Sequence, residues 1–271
     1  MLKNNWITHN LQNRIGDPAL DFKTQFNPIP FKQLDFQQAV KYTIDLITSK
    51  YDNFYLSYSG GLDSEFILKA FYEAKVPIKP IIVKHSGNDI ESQYAFHMCK
   101  KLNIEPLIIN CSDKLYLEVF RTKISNPING MGWDVTPGIV AFLSVKDKNH
   151  TFLTGEHVID DEHLITKASL CEWDFYHQFF YPEYNCIGPL LYTPEITYSI
   201  IKEFDGGEVQ DFKSRLFNID YRPKIKNRFE EKVRESCWEI IKNKPKPKHT
   251  EILGSKKEVT DLMESWNVDN K

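Results

Sequence analysis

The sequence predicts an α/β protein in which a doubly wound parallel sheet is followed by a mainly helical C-terminal part. Between residues 36 and 154, short apolar stretches alternate with segments of helical spacing, which is the pattern of consecutive right-handed βαβ units. A Gly-Gly pair separates the first apolar stretch from the helix after it. After residue 195, segments of helical spacing follow one another. These three observations predict the fold class.

The composition allows a large core and disfavours several classes of protein. A chain of 271 residues, of which 41% are hydrophobic, can form one α/β domain, alone or with an appendage. The formal charge of −3 gives no case for a nucleic-acid partner, although it does not exclude one. The chain has no apolar run of the roughly 18 residues that a membrane span needs, and its polar start does not resemble a signal peptide. We therefore expect a cytoplasmic protein without a membrane partner.

The five cysteines are scattered and form no Cys-x-x-Cys pair, which indicates reduced thiols. This pattern also argues against a zinc ion or iron–sulfur cluster held by cysteine. The eight histidines form no His-Glu-x-x-His motif, so we expect no zinc site.

The elements of the sheet can be predicted in chain order. Residues 1–33 are polar and rich in Pro and Asn, and we expect an irregular N-terminal arm. Each later segment has either helical spacing or the continuous apolar character of a buried strand. The predicted elements are a helix Phe36–Ser49, a strand Asn53–Tyr58, a helix from Leu62 that ends before Pro77, a strand Lys79–Lys84, a helix Asp89–Leu102, a strand Glu105–Asn110, a helix Pro137–Val145 and a strand His150–Thr154.

Residues 169–243 are predicted to be mainly helical. They begin with a dense group of aromatic residues that we expect in the core or at a domain interface. The alternating Lys and Pro residues after position 243 suit an extended linker. The final helix is amphipathic and is expected to dock on the protein's own body, with docking on a protein partner as the alternative. The predicted helices are Ile196–Phe204, Gln210–Leu216, Arg228–Lys242 and Ser255–Trp266.

The first candidate site is the turn between the first strand of the sheet and its helix. Paired glycines let the backbone approach a phosphate closely, and the first N–H groups of the helix point at it. The serine hydroxyls add donors, and the aspartate could hold Mg²⁺ beside phosphate oxygens. The alternative is an ordinary strand-to-helix turn. Because no lysine follows the glycines, the turn is not a Walker A loop. The candidate residues are Ser59, Gly60, Gly61, Leu62, Asp63 and Ser64.

A second candidate site follows the last predicted strand. Gly155 and Glu156 begin a stretch that also contains Asp160 and Asp161. The alternative is a solvated acidic loop. Because this stretch follows a parallel strand, we expect it at the same edge of the sheet as the first turn. A carboxylate from each loop, Asp63 and one of the two later aspartates, would suit Mg²⁺ chelated by phosphates.

The third candidate site is a basic segment between residues 221 and 229. Arg222 and Lys224 flank Pro223, which stiffens the turn. Cations of this kind stabilise the negative charge that develops on a phosphate leaving group. The alternative is a basic surface loop.

The hexapeptide Ser59–Ser64 resembles the pyrophosphate loop of the N-type ATP pyrophosphatases, the PP-loop superfamily. The three sites in this order are most similar to the synthetase domain of asparagine synthetase and β-lactam synthetase. Thr154-Gly155-Glu156 matches the start of the second motif of these enzymes, although His157 replaces a glycine. Arg222-Pro223-Lys224 resembles their third motif, although Phe229 follows later than in the family. The chain has no glutaminase-like start, so the resemblance implies a nucleophile taken directly from solution.

The resemblance implies an adenine nucleotide alpha hydrolase-like, Rossmann-like fold that binds ATP and Mg²⁺. The adenine would lie at the end of the second strand of the sheet. In the implied reaction, an ATP-dependent ligase adenylates a carboxylate or carbonyl oxygen and transfers the group to ammonia or an amine, releasing AMP and pyrophosphate. The implied roles are adenine contacts for Val83, Lys84 and His85, nucleotide contacts for Gly155 and Glu156, metal binding for Asp63 and Asp161, and catalysis for Lys224 and Arg222.

The division of the chain follows from these elements and the resemblance. We expect an arm at 1–33, a PP-loop ATP pyrophosphatase domain at 34–168, a helical substrate or lid region at 169–243, and a linker with a short helix at 244–271. Two other functions stay open: a sulfur-transfer enzyme similar to phosphoadenylylsulfate reductase, which the cysteine pattern weakens, and a nucleotide-binding accessory subunit without turnover. The identity of the carboxylate and the amine, and whether the protein is a homo-oligomer, are left open by the sequence.

Overall fold

The strands and helices of the protein follow the predicted order closely. A computed structural model describes residues 6–9, 24–125, 135–145, 149–155, 158–159, 165–166, 185–223, 230–243 and 252–267. The strands are β1 (Ile7–His9), β2 (Thr24–Phe26), β3 (Phe54–Ser57), β4 (Ile78–Lys84), β5 (Leu107–Asn110), β6 (Thr151–Leu153), β7 (Ile165–Thr166), β8 (Asn185–Ile187) and β9 (Ile252–Gly254).

The helices within the described ranges also match the helical patterns of the sequence, except for Asp113–Val119, which was not predicted. They are α1 (Phe36–Thr48), α2 (Leu62–Glu73), α3 (Asp89–Lys101), α4 (Asp113–Val119), α5 (Thr136–Ser144), α6 (Pro194–Glu203), α7 (Val209–Phe217), α8 (Glu231–Ile241) and α9 (Lys256–Ser265). A π-helical turn, Phe120–Ser125, extends α4, and a 3₁₀ turn, Pro189–Leu191, precedes α6. No helix within these ranges is long and apolar enough to cross a membrane.

Five strands form one parallel sheet in the order β5-β4-β3-β6-β8. The chain starts at β3 in the centre, moves outward through β4 to β5, and returns to β6 on the other side of β3. Right-handed crossovers therefore place helices on both faces of the sheet. This arrangement confirms the doubly wound fold. The order reverses between β3 and β6, and ligands of such sheets bind beyond the carboxyl ends of the strands at this point.

Three parts of the topology differ from the sequence-based expectation. Strand β9 lies in the range 244–271, which was expected to be a linker with a short helix, and it pairs antiparallel with β7. Strand β8 completes the sheet but lies inside the range 169–243, which was expected to be mainly helical. Strands β1 and β2 form an antiparallel pair in the arm that was expected to be irregular. These strands have two or three residues and no distinguishing pattern in the sequence, whereas the equally short β6 was predicted from its apolar residues before a glycine.

The core lies between the sheet and the helices. Leu56 of β3 and Leu153 of β6 are completely buried. On the helical side, Phe217 of α7 stacks on Phe66 of α2 with ring centroids 4.3 Å apart, and also lies 6.0 Å from Phe36 of α1. Helix α7 is therefore packed against α2, the helix that follows the glycine turn.

Helix α9 docks on the protein's own body, as expected. A capping box between Ser255 and Glu258 fixes its start. At its end, Trp266 lies 6.2 Å from each of three aromatic rings, those of Trp6, Phe26 and Phe31. The final segment of the chain is therefore joined to the segment that precedes the sheet.

We expect Trp266→Ala to lower the free energy of unfolding by about 3–5 kcal/mol, because the change leaves a cavity among these rings. Leu262→Ala is the matched control, since this side chain lies on the same helix but is 43% exposed. Urea unfolding followed by circular dichroism measures both. Equal, small losses for the two variants would contradict the docking of α9.

Candidate functional site

The turn after β3 requires glycine at position 60. Gly60 has φ = +84°, in the left-handed region, which glycine adopts without strain. A Cβ atom at this position would lie 2.1 Å from the backbone oxygen of Glu91, at the start of α3. The turn is thus pressed against the next helix of the sheet, and a residue with a side chain does not fit there.

Helix α2 begins directly at this turn without a side-chain cap. Gly61 is the N-cap residue and forms no side-chain cap hydrogen bond. The Ser59 and Ser64 hydroxyls share a hydrogen bond of 3.1 Å, and Ser59 Oγ also accepts from the Gly61 N–H at 3.2 Å. The serines therefore shape the turn, and the positive end of the helix is left for an anion.

The turn after β6 meets the start of α2. A Cβ atom on Gly155 would lie 2.9 Å from Ser64 Cβ and 3.0 Å from the Ser64 backbone nitrogen. Both glycine-containing turns thus lie at the point where the strand order reverses. The expected meeting of the first two candidate sites is seen for Gly155. The predicted ligands Glu156 and Asp161, and the alternative Asp160, lie outside the described residues.

A lysine that the sequence analysis did not select contacts Asp63. Lys213 of α7 is 5% exposed, and its Nζ lies 2.8 Å from Asp63 Oδ2. The other carboxylate oxygen of Asp63, Oδ1, is buried and has no hydrogen-bond partner among the described residues. Asp63 therefore has one oxygen paired with a cation and one buried oxygen with unused capacity to accept.

A second buried ion pair lies behind the glycine turn. Glu65 is completely buried, and its Oε2 accepts from Arg222 Nη2 at 2.6 Å and from the Tyr58 hydroxyl at 2.9 Å. Burial, reinforced by the charge of Glu65, raises the pKa of Tyr58 far above its usual value, so this tyrosine stays a hydrogen-bond donor. Together, Tyr58, Glu65 and Arg222 carry no net charge, and they link α2 to the segment after α7.

Arg222 makes three contacts around the turn. Besides Glu65, its Nη1 donates to the Gly60 backbone oxygen at 2.5 Å, and its guanidinium lies 4.4 Å from the centroid of the Tyr94 ring. These contacts place the predicted third site against the first, in the expected neighbourhood. Because all three contacts are with other residues of the protein, Arg222 acts as a positioning residue for the turn. Lys224 lies outside the described residues, and its catalytic role stays a prediction.

The predicted adenine residues lie at the carboxyl end of β4. The Val83 backbone oxygen accepts from Asn88 Nδ2 at 2.8 Å, and the His85 N–H donates to Asn88 Oδ1 at 3.0 Å. Burial lowers the pKa of His85, partly opposed by the Ser86 carbonyl and nearby carboxylates, which favours a neutral ring. Lys84 Nζ lies 5.9 Å from the Phe96 ring centroid. The end of β4 is thus an ordered turn beside the glycine turn, and the adenine contacts stay a prediction.

Asp63, at the start of α2, fits Mg²⁺ beside a phosphate bound at the turn. Its free, buried Oδ1 is the hard oxygen ligand that this ion prefers. Within the described ranges, no group of three or more His, Cys, Asp or Glu side chains could hold a metal.

Sequence reasoning missed Lys213, Glu65, Tyr58 and Tyr94. For Lys213 a signal was present, because it follows Phe212 and lies four residues after Val209, on the apolar stripe of an amphipathic helix. A lysine at a core-facing position requires a partner. The partner itself, Asp63, is distant in sequence and could not be identified without the fold.

No family model matches the chain, and no curated protein matches it. Similar solved structures include NMN synthetase from Francisella tularensis, with 15% identity over 85% of this chain and 90% of that one, and a TM-score of 0.38. An NH₃-dependent NAD synthetase from Campylobacter jejuni, in complex with nitrate, has 21% identity over 44% of this chain and 56% of that one, with a TM-score of 0.33. A glutamine-dependent NAD⁺ synthetase from Acinetobacter baumannii, in complex with ADP, has 10% identity over 74% of this chain and 39% of that one, with a TM-score of 0.37. TM-scores of this size support no conclusion about this chain, so its fold class follows from its own sheet.

Proposed function

We propose that this protein is an ATP-dependent ligase that forms a carbon–nitrogen bond. A carboxylate or carbonyl oxygen of the substrate attacks the α-phosphorus of ATP, and the bond between the α- and β-phosphates breaks, releasing pyrophosphate. The nitrogen of ammonia or an amine then attacks the activated carbon, the carbon–oxygen bond breaks, and AMP leaves while the nitrogen loses a proton.

The observation that carries the proposal is the uncapped start of α2 at the point where the strand order reverses. Only glycine fits at position 60 of the turn, and Gly155 brings the turn after β6 against Ser64. Oriented N–H groups and close backbone approach are what a phosphate chain needs. The resemblance of Ser59–Ser64 to the PP-loop hexapeptide supports cleavage between the α- and β-phosphates.

Each residue of the site has a role in the proposal. The backbone from Gly60 to Ser64 binds phosphate, and the turn from Val83 to His85 would hold the adenine. Asp63 would hold Mg²⁺, together with Asp161 if the second motif follows the family. When bound, Mg²⁺ supplies neutralisation of phosphate charge. Lys224 is the candidate for stabilising the negative charge that develops at the reaction centre, and Glu156 is a further candidate nucleotide contact.

The described cysteines do not favour the sulfur-transfer alternative. Cys99, Cys111, Cys186 and Cys237 are buried. Burial raises the pKa of Cys99 and of Cys111 to about 11, and that of Cys237 to about 12. A thiol with a raised pKa is a poor nucleophile at neutral pH, because the reactive form is the thiolate.

The test is the formation of AMP and pyrophosphate from ATP and Mg²⁺, over a panel of amino acids, other carboxylates and nucleobases with ammonium as the nitrogen source. We expect AMP and pyrophosphate in equal amounts for one substrate class, and loss of both with Asp63→Ala. Product analysis by ³¹P NMR distinguishes this cleavage from the release of ADP and inorganic phosphate. ADP formation would contradict the proposal.

Binding of ATP without AMP formation for any member of the panel would favour the accessory-subunit alternative. Absence of ATP binding, measured by isothermal titration calorimetry, would contradict both functions.

A further inference from the structure

We propose that Lys213 is a binding residue for the pyrophosphate part of ATP, carried into the site by helix α7. This inference rests on the proposed function and adds to it a contact that the sequence motifs do not contain.

Lys213 is placed at the anion site by packing. Its side chain is 6% exposed and its Nζ lies 2.8 Å from Asp63 Oδ2. Asp63 is the second residue of α2, so the ammonium group lies beside the first turn of that helix. The stacking of Phe217 on Phe66, one turn further along α7, fixes the two helices against each other. Lys213 therefore needs no large movement to reach a phosphate at the turn.

The lysine has unused capacity for a phosphate. An ammonium group carries three N–H donors, and the bond to Asp63 uses one of them. Asp63 in turn offers its free Oδ1 to a metal while Oδ2 stays with Lys213. One carboxylate can thus keep a cation and the lysine side by side, both of them next to the same phosphate oxygens.

The local charge makes a cation necessary. Asp63 and Glu65 place two carboxylates in the first turn of α2, where they would repel a phosphate chain. Lys213 and Arg222 neutralise them by direct contact. Arg222 is held between Glu65, the Gly60 carbonyl and the Tyr94 ring. Lys213, in contrast, contacts Asp63, which is the residue that would also hold the metal. Of these two cations, Lys213 is the one placed to contact the leaving group.

The experiment measures the affinities of the full chain for three probes by isothermal titration calorimetry: ATP with Mg²⁺, inorganic pyrophosphate with Mg²⁺, and AMP. Lys213→Met is expected to weaken ATP and pyrophosphate binding by about 10- to 100-fold, the effect of losing a hydrogen bond to a charged group. AMP affinity should change by less than about twofold, and Lys213→Arg should retain most of the ATP affinity because it keeps the charge. Lys69→Met is the control, since it removes a lysine of α2 that bonds the Asn218 carbonyl.

Several results would overturn the assignment. Unchanged pyrophosphate affinity in Lys213→Met would do so, and so would an equal loss of AMP and ATP affinity. If Lys213→Met does not fold, the charge-neutral pair Asp63→Asn/Lys213→Met is compared with Asp63→Asn, and equal pyrophosphate affinities contradict the proposal. If the unmodified protein binds none of the three probes, the proposed function fails. If the unmodified protein binds ATP and Lys213→Met binds ATP and pyrophosphate with the same affinities, this inference fails and the proposed function does not.

Discussion

Gly60→Ala is expected to destabilise the protein by about 2–5 kcal/mol and to weaken ATP binding by more than tenfold. The added Cβ would lie 2.1 Å from the Glu91 carbonyl oxygen, and the residue would be held at φ = +84°. Left-handed strain costs about 1–2 kcal/mol and overpacking costs a further 1–3 kcal/mol. Because the atom in the way belongs to the backbone, relief requires the turn to move away from α3, and the N–H groups that we propose bind phosphate move with it.

Gly206→Ala separates the two causes. Gly206 has φ = +81°, but a Cβ there would have no atom within 4 Å. It should therefore show the strain of about 1–2 kcal/mol and normal ATP affinity. Urea unfolding and calorimetric titration measure both variants. Equal results for the two glycines would contradict the close approach of the turn to Glu91.

Arg222→Met is expected to lower the free energy of unfolding by about 3–5 kcal/mol, because it leaves the charge of Glu65 buried without its ion-pair partner. The side chains of this pair are 12% and 0% exposed. The same change removes the donor to the Gly60 carbonyl, so ATP affinity should fall as well. A catalytic role alone would lower turnover and leave the unfolding midpoint and ATP affinity unchanged, so these two measurements decide between positioning and catalysis.

Arg215→Met is the matched control for Arg222→Met. Arg215 bonds Asp205 and Asp211, but its side chain and theirs are about half exposed, so the unfolding midpoint should hardly change. A second comparison uses the double variant Glu65→Leu/Arg222→Met. Replacing a whole buried ion pair by apolar residues is often nearly neutral, so this variant should regain much of the stability that Arg222→Met loses. No recovery would show that the contacts of Arg222 with Gly60 and Tyr94, or the hydrogen bond from the Tyr58 hydroxyl to Glu65, dominate.

The sequence was sufficient for the parts of the fold that have local signals. The alternation of apolar stretches and helical spacing predicted the parallel sheet, and the position of each turn after a strand predicted that Gly60 and Gly155 share one edge. Strand β8 was missed because three residues among aromatic neighbours have no period. The three-residue strand β6 could be predicted all the same, because its apolar residues follow a polar segment, whereas residues 185–187 have other apolar residues around them.

The side chains around the turn show a different limit. Arg222 was selected for its charge and its place in a motif, and its proximity to the first site was expected. Its partner Glu65 and the pairing of Lys213 with Asp63 depend on helices that approach each other only in the folded protein. An ion pair between residues 150 positions apart leaves no trace in a single sequence, except for a lysine on an apolar stripe.

The stacking of Phe217 on Phe66 couples ligand binding at the site to the docking of helix α7 on α2. The same two helices carry Lys213 and Asp63, so a ligand that needs both residues binds only molecules in which α7 is docked on α2. By mass action such a ligand stabilises the docked state, by about 2.7 kcal/mol at a concentration 100 times its Kd. Substitutions in this aromatic stack would then appear as weaker nucleotide affinity, although its residues are not among the proposed nucleotide contacts. The reason is that part of the binding free energy would be used to restore the docking.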